Sequence, residues 1–284
     1  MKHNLRLRLA LLLISLVLSL KTYAGAWMQE QGNMMAIASM FGYQSCSYWR
    51  GSGGVAVDSP CYNSLAISPY VEYGLTKNLT LGGAVYGQMA RQLNNNYNLS
   101  NLQLLGRYKL WSGGYSVLST QFTAFIPAFN SSSINSPSQA SASSINIYPN
   151  NFNLEGRLLF GTGGEMTKSS HWYLDLEGAY GASINNYGTT IHLDGSFGWK
   201  LADDRVILEL KSLNTFNTND AVLGQLTPPF GFYNISTIVP SVGYQLTPRF
   251  ALQLGLYQDV WGGNIGQGIA PFISVSWRFG NVYK

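Results

Sequence analysis

From about residue 34 onward, apolar and polar residues alternate with a period of two, and the alternation predicts twelve strands of about ten residues each. The segments run 34 to 43, 65 to 75, 79 to 89, 101 to 110, 115 to 126, 152 to 160, 172 to 182, 189 to 199, 206 to 216, 235 to 246, 250 to 258 and 268 to 279. Side chains on a strand point alternately to its two faces, so each segment sorts its residues into two sets. In the second, Leu65, Ile67, Val71, Tyr73 and Leu75 share a face, and Ser68, Tyr70 and Glu72 take the other. In the fourth, Leu102, Leu104, Tyr108 and Leu110 oppose Asn101, Gln103, Arg107 and Lys109, and in the sixth Phe152, Leu154, Leu158 and Phe160 oppose Asn153, Glu155 and Arg157. The next three repeat the pattern: Trp172, Leu174, Leu176 and Tyr180 against Asp175 and Glu177; Ile191, Leu193, Phe197 and Trp199 against His192, Asp194 and Ser196; Val206, Leu208 and Leu210 against Glu209 and Lys211. No charge falls on the apolar face of these strands.

Alternation alone fits either a soluble sandwich or a membrane barrel with its apolar face outward. Connection lengths favour the barrel. Short turns at Thr76 to Asn78, Trp111 to Gly114, Leu201 to Arg205 and Thr247 to Arg249 interleave with longer segments at 44 to 64, 127 to 150, 217 to 234 and 259 to 267. That is the expected arrangement of periplasmic turns and outer loops. The stretch from Gly161 to His171 is long for a turn, and Ser183 to Gly188 is short for an outer loop. Tyr73, Trp111, Tyr115, Phe160, Trp172, Trp199, Tyr244, Phe250, Trp277 and Phe279 collect at strand ends beside the short turns, as in an interfacial girdle. The predicted fold class is therefore all-β: a transmembrane antiparallel up-and-down barrel of about twelve strands in a bacterial outer membrane.

The start of the chain fits an exported precursor. Lys2, Arg6 and Arg8 precede an apolar run from Leu9 to Leu20, and small residues follow at Ala24, Gly25 and Ala26. This is the pattern of a signal peptide over 1 to 24, with cleavage after Ala24 or Ala26. Residues 25 to 33 then form a periplasmic or lumenal segment and 34 to 284 the barrel. The leader also carries the charge excess: without Lys2, Arg6, Arg8 and Lys21 the formal charge of +4 falls to zero, and no reason remains to expect nucleic acid as a partner. Nothing after Leu20 offers the roughly 18 continuous apolar residues of a spanning helix, so helical membrane proteins are excluded.

Candidate chemistry is sparse. Cys46 and Cys61, the two cysteines, lie in the first predicted outer loop of an exported chain and predict a disulfide, worth on the order of 3 kcal/mol for a loop of this size. Inward charges at Glu72, Arg107, Lys109, Glu155, Arg157, Asp175, Glu177, His192, Asp194, Glu209, Lys211 and Arg278 line the predicted lumen. They read equally as the wall of a polar pore or as a self-paired network filling a narrow barrel. An outer-membrane lipid hydrolase is the rival from another class, but His171 sits at a turn, and His192, though it shares a face with Ser196, has no His-x-Ser spacing. No catalytic residue, metal site or cofactor is expected.

The segment GAWMQEQG from Gly25 to Gly32 resembles the start of the outer-membrane barrels of the phenol meta-pathway and XagA-like group, with Met28 and Glu30 where those commonly carry Thr and Pro. YVEYGLTKNLTLGG from Tyr70, GYQLTPRFALQLG from Gly243 and the closing SVSWRFG are also similar to that group. The last strand, with Ile269, Pro271, Ile273, Val275, Trp277 and Phe279 on one face, resembles the aromatic-ended final strand recognised by the barrel-assembly machinery, although Gly280 to Lys284 follow it. The resemblance implies passage of small hydrophobic or aromatic molecules, or exopolysaccharide export. The expected function is a passive channel for small solutes, with outer-membrane lipid and the assembly machinery as partners. A structural or surface-interaction barrel is the alternative.

Overall fold

The computed structural model of the chain describes residues 25–49, 54–92, 95–130, 152–183, 189–217, 234–263 and 265–280. Within them lie twelve antiparallel strands: β1 (Met34–Trp49), β2 (Val55–Gly74), β3 (Leu79–Gln92), β4 (Asn95–Gly113), β5 (Ser116–Asn130), β6 (Asn153–Thr167), β7 (Ser170–Ser183), β8 (Thr189–Leu201), β9 (Val206–Asn217), β10 (Asn234–Thr247), β11 (Phe250–Gly263) and β12 (Ile265–Phe279). Each pairs with its neighbours in sequence, and β1 pairs with β12 from Met34↔Phe279 onward, so the sheet closes with no free edge. Closure satisfies the backbone of every strand without water, which is what a lipid environment demands.

Parity follows the pattern of hydrophobicity. On β4, Leu104, Tyr108 and Leu110 are exposed on the outside, whereas Asn101 and Arg107 are buried inside. On β6, Leu154, Leu158 and Phe160 point outward, opposite Asn153 and Glu155. The outer face is a continuous apolar surface extending round to Leu208, Leu210, Val242, Leu254, Ile273 and Trp277. In water such an area would cost far more than a folded protein can offset, and in a bilayer it is the stabilising face. Trp111, Tyr115, Trp199, Tyr244, Trp277 and Phe279 stand exposed on it near the short-turn end, at the level where aromatic rings meet lipid headgroups. The chain thus forms an outer-membrane barrel.

The strands are longer than the alternation predicted, and three connections need correction. The stretch 44 to 64 is mostly ladder, since β1 runs to Trp49 and β2 starts at Val55. β11 and β12 likewise consume most of 259 to 267. The long turn expected over Gly161 to His171 is a tight hairpin, with Thr167 paired to Ser170. The cause is common to all three: beyond the bilayer a strand needs only its backbone ladder, and its side chains no longer have to alternate. Cys46 and Cys61 consequently belong to β1 and β2, where they form the expected disulfide. It sits at an irregularity: Ser45 pairs with Tyr62 but Ser47 with Val57, so extra residues of β2 bulge opposite Cys46 and the disulfide spans the bulge. The expected signal peptide, most of the loops at 127 to 150 and 217 to 234, and the tail after Gly280 lie outside the described residues.

Candidate functional site: a lumen with two walls and an inserted N-terminal segment

The residues before β1 enter the barrel. Gln31 bridges to Gly74, the Gly32 amide donates to the Gly74 carbonyl at 2.8 Å, and the Gly74 amide donates to the Asn33 carbonyl at 3.0 Å. A side chain at Gly74 would place its Cβ 2.1 Å from the Glu30 carbonyl oxygen, so only glycine permits this docking. Further in, the Gln29 amide donates to Thr80 Oγ1 and its side chain donates to Glu72 Oε2. The Ala26 carbonyl accepts from Ser119 Oγ at 2.8 Å and the Trp27 carbonyl from Arg107 Nη1 at 3.0 Å. Ala26 is wholly buried against Val117 and Leu159, with Trp27 beside it. Residues 26–29 thus contact Glu72, Thr80, Arg107 and Ser119.

Arg107 on β4 is the hub of this clamp. Its Nε and Nη2 both donate to Gln121 Oε1, Nη2 lies 2.9 Å from Glu72 Oε1, and Nη1 holds the inserted segment. Glu72 also accepts from the Tyr70 hydroxyl. A guanidinium suits the task because its planar fork of donors serves several acceptors at once. The next group is centred on Arg157 of β6, whose donors reach Glu155 at 3.0 Å, Glu177 at 2.5 Å and Asp194 at 3.3 Å. His192 Nε2 lies 3.5 Å from Glu155 Oε2, and its Nδ1 pairs with Thr215 Oγ1. Further round, Glu209 accepts from the Tyr173 hydroxyl and Gln253 and lies 3.1 Å from Lys211. Lys109 and Arg278 face the lumen on β4 and β12.

The charged groups around Arg107, Arg157 and Glu209 meet in local clusters rather than as one ring. The sequence did not point to Thr80, Ser119 and Gln121, although they hold the inserted segment or its clamp; as neutral residues in a Ser- and Thr-rich chain they carry no distinguishing signal. Nor are His192 and Ser196 joined: the Ser196 hydroxyl turns to Asp175, and the His192 ring to Thr215 and Glu155. His171 lies 2.9 Å from Asp204 in the neighbouring turn.

The opposite wall, formed by β1–β3, β11 and β12, is aromatic. Phe41 stacks on Tyr86 with ring centroids 5.9 Å apart and meets Tyr257, which packs on Phe272 at 5.1 Å. Tyr43 and Tyr62 pack edge to face. Buried among them, Asp259 accepts from Tyr43 Oη at 3.0 Å, Thr237 Oγ1 at 2.8 Å and the Gly268 amide at 3.1 Å. Three donors satisfy that carboxylate without any cation.

The ladder between β8 and β9 is interrupted. Their pairing lapses between His192↔Thr215 and Gly195↔Ser212, and the Asn214 amide turns instead to Asp194 Oδ1. Outside this lapse is an apolar hollow of about 560 Å³, lined by Leu118, Leu158, Phe160, Leu176 and Leu193 and bordered by Glu177 and Asp194.

The barrel is a single closed sheet of twelve antiparallel strands. Among solved structures it is similar to the COG4313 outer membrane channel from Pseudomonas putida F1, with TM-score 0.66, 12% identity, and 92% of this chain and 100% of that one covered. It is less similar to the NanC porin, with TM-score 0.51, 8% identity, and 85% and 98% covered. At such identities the likeness is one of fold alone. No family model matches the sequence, and no curated protein matches it.

Proposed function

We propose that this protein is an outer-membrane channel for passive passage of small molecules, kept narrow by its own N-terminal segment. The observation that carries the reading is the lumen itself. Twelve strands enclose it, residues 25–33 cross it on at least six polar contacts, and its walls are charged on one side and aromatic on the other. Such a passage excludes bulky hydrophilic solutes by size and offers ring faces to an aromatic one. The similarity of the N-terminal GAWMQEQG segment to the phenol meta-pathway group supports the same cargo class.

Liposome swelling tests the proposal. Proteoliposomes are expected to swell in an isosmotic pentose and not in a trisaccharide. Failure to swell in either, with the barrel folded by heat-modifiable gel migration, would favour a structural or surface-interaction role.

The interrupted ladder beside an apolar hollow favours a second reading, in which apolar molecules pass between lumen and lipid at the β8–β9 lapse. A disulfide formed by Leu193→Cys with Asn214→Cys is then expected to stop entry of an apolar fluorescent probe while leaving pentose swelling intact. Unchanged probe entry would rule out this route.

A further inference from the structure

The lumen wall around Arg157 is short of positive charge. Glu155, Asp175, Glu177 and Asp194 crowd one guanidinium, which reaches three of them. Arg107 and Lys211 are engaged with Glu72 and Glu209. Even with His192 counted as a cation, carboxylates outnumber their partners. Asp175 is the sharpest case: it is 1% exposed and its Oδ1 has no hydrogen-bond partner. That atom faces the inserted segment, because a Cβ built on Gly161 would lie 2.7 Å from Asp175 Oδ1, 2.7 Å from Trp27 Nε1 and 3.0 Å from Ala26 Cβ. An unpaired buried carboxylate is costly enough to call for a partner.

Gly25 lies beside a second carboxylate of the same cluster, Glu177. A Cβ built on it would fall 1.8 Å from Glu177 Oε1, which places the Gly25 nitrogen within roughly 4 Å of that oxygen by tetrahedral geometry. Within a continuous chain this nitrogen is an amide with one hydrogen and no charge. As a chain terminus it is an ammonium with three donors. We propose that cleavage between Ala24 and Gly25 creates a further cation here, and that the Gly25 α-ammonium, bound by Glu177 beside the carboxylate-rich cluster, locks the processed N-terminus into the lumen. In the cleavage step water adds across the Ala24–Gly25 amide under a leader peptidase, the carboxylate leaves on Ala24, and the released amine takes up a proton.

The structure also chooses between the two cleavage sites that the sequence allows. Cutting after Ala26 would discard a wholly buried residue together with the carbonyl that Ser119 holds, and would leave Glu177 without the terminus. The inference rests on the leader reading and is independent of the channel reading. It adds a dependence: a chain still joined to its leader has no charge at this position and cannot form the lock.

The test uses full-length precursor exported in a Gram-negative host and purified from its outer membrane. Intact mass is expected to show Gly25 as the first residue. Limited acetylation at neutral pH, followed by peptide mass spectrometry, is expected to modify the Gly25 amine at least tenfold more slowly in the folded barrel than in the denatured chain. Glu177→Gln, which keeps the shape and removes the charge, should restore most of that reactivity, and Glu177→Asp should restore little. A mature chain starting elsewhere, a folded-state amine as reactive as the denatured one, or protection unchanged in Glu177→Gln would each overturn the proposal; the first two need no variant to fold.

Discussion

The two walls of the lumen bury polar groups in opposite ways. On β4–β9 carboxylates and guanidinium groups pair with one another and with the inserted segment, so the charges there position a movable piece of chain. Where the rings of β1, β2, β3, β11 and β12 pack together, away from Glu72, the carboxylate of Asp259 is enclosed by tyrosines and neutral donors and holds nothing but the wall. Ionic clusters break in discrete steps and can release what they hold, whereas stacked rings fill space permanently. The charged wall holds the inserted segment, and the Asp259 cluster of the aromatic wall holds only its own strands.

Removing the hub of the charged wall has the largest expected effect. Arg107→Ala leaves Glu72 buried without its cation and frees the Trp27 carbonyl, a loss of about 3 to 5 kcal/mol by analogy with broken buried pairs. Urea unfolding in detergent measures it. A loss below that for Asp259→Ala would reverse the comparison between the walls.

Outside the lumen, Leu208→Arg places a charge on the lipid face and is expected to cost about 2 to 4 kcal/mol near mid-membrane. Normal insertion of that variant, read from heat-modifiable migration, would mean that the faces of β9 are assigned the wrong way round. The smallest effect is expected on the aromatic wall. Asp259→Ala strips the Tyr43 and Thr237 hydroxyls of their acceptor, at about 1 to 3 kcal/mol, with conductance unchanged because nothing mobile is attached.

The charged wall was legible in the sequence and the aromatic one was not. Glu155 and Arg157 stand out because each adjoins one outward-facing leucine, Leu154 or Leu158, and any charge on the lipid face would be too costly to keep. Phe41 and Tyr43 give no such signal. Their outward neighbours on β1 are Ala38, Met40 and Gly42, so the inside of that strand is as apolar as its outside, and period-two reading cannot tell which face meets lipid. Strand ends were lost for a related reason: at Ser47 to Trp49 and Val55 to Val57, beyond the bulge, the ladder continues where bilayer-imposed alternation has stopped. The lumenal position of Gly25 to Gly32 depends on backbone carbonyls and glycines rather than on any distinctive side-chain pattern, and only the folded chain displays it.

Single-channel conductance in planar bilayers, compared between the mature barrel and a version lacking residues 25–32, tests the central claim most directly. If the inserted segment sets the width of the passage, its deletion raises conductance several-fold while the barrel stays folded, and Arg107→Gln gives intermittent openings toward the larger level. A conductance unchanged by the deletion, in a barrel that still migrates as folded, would contradict the account.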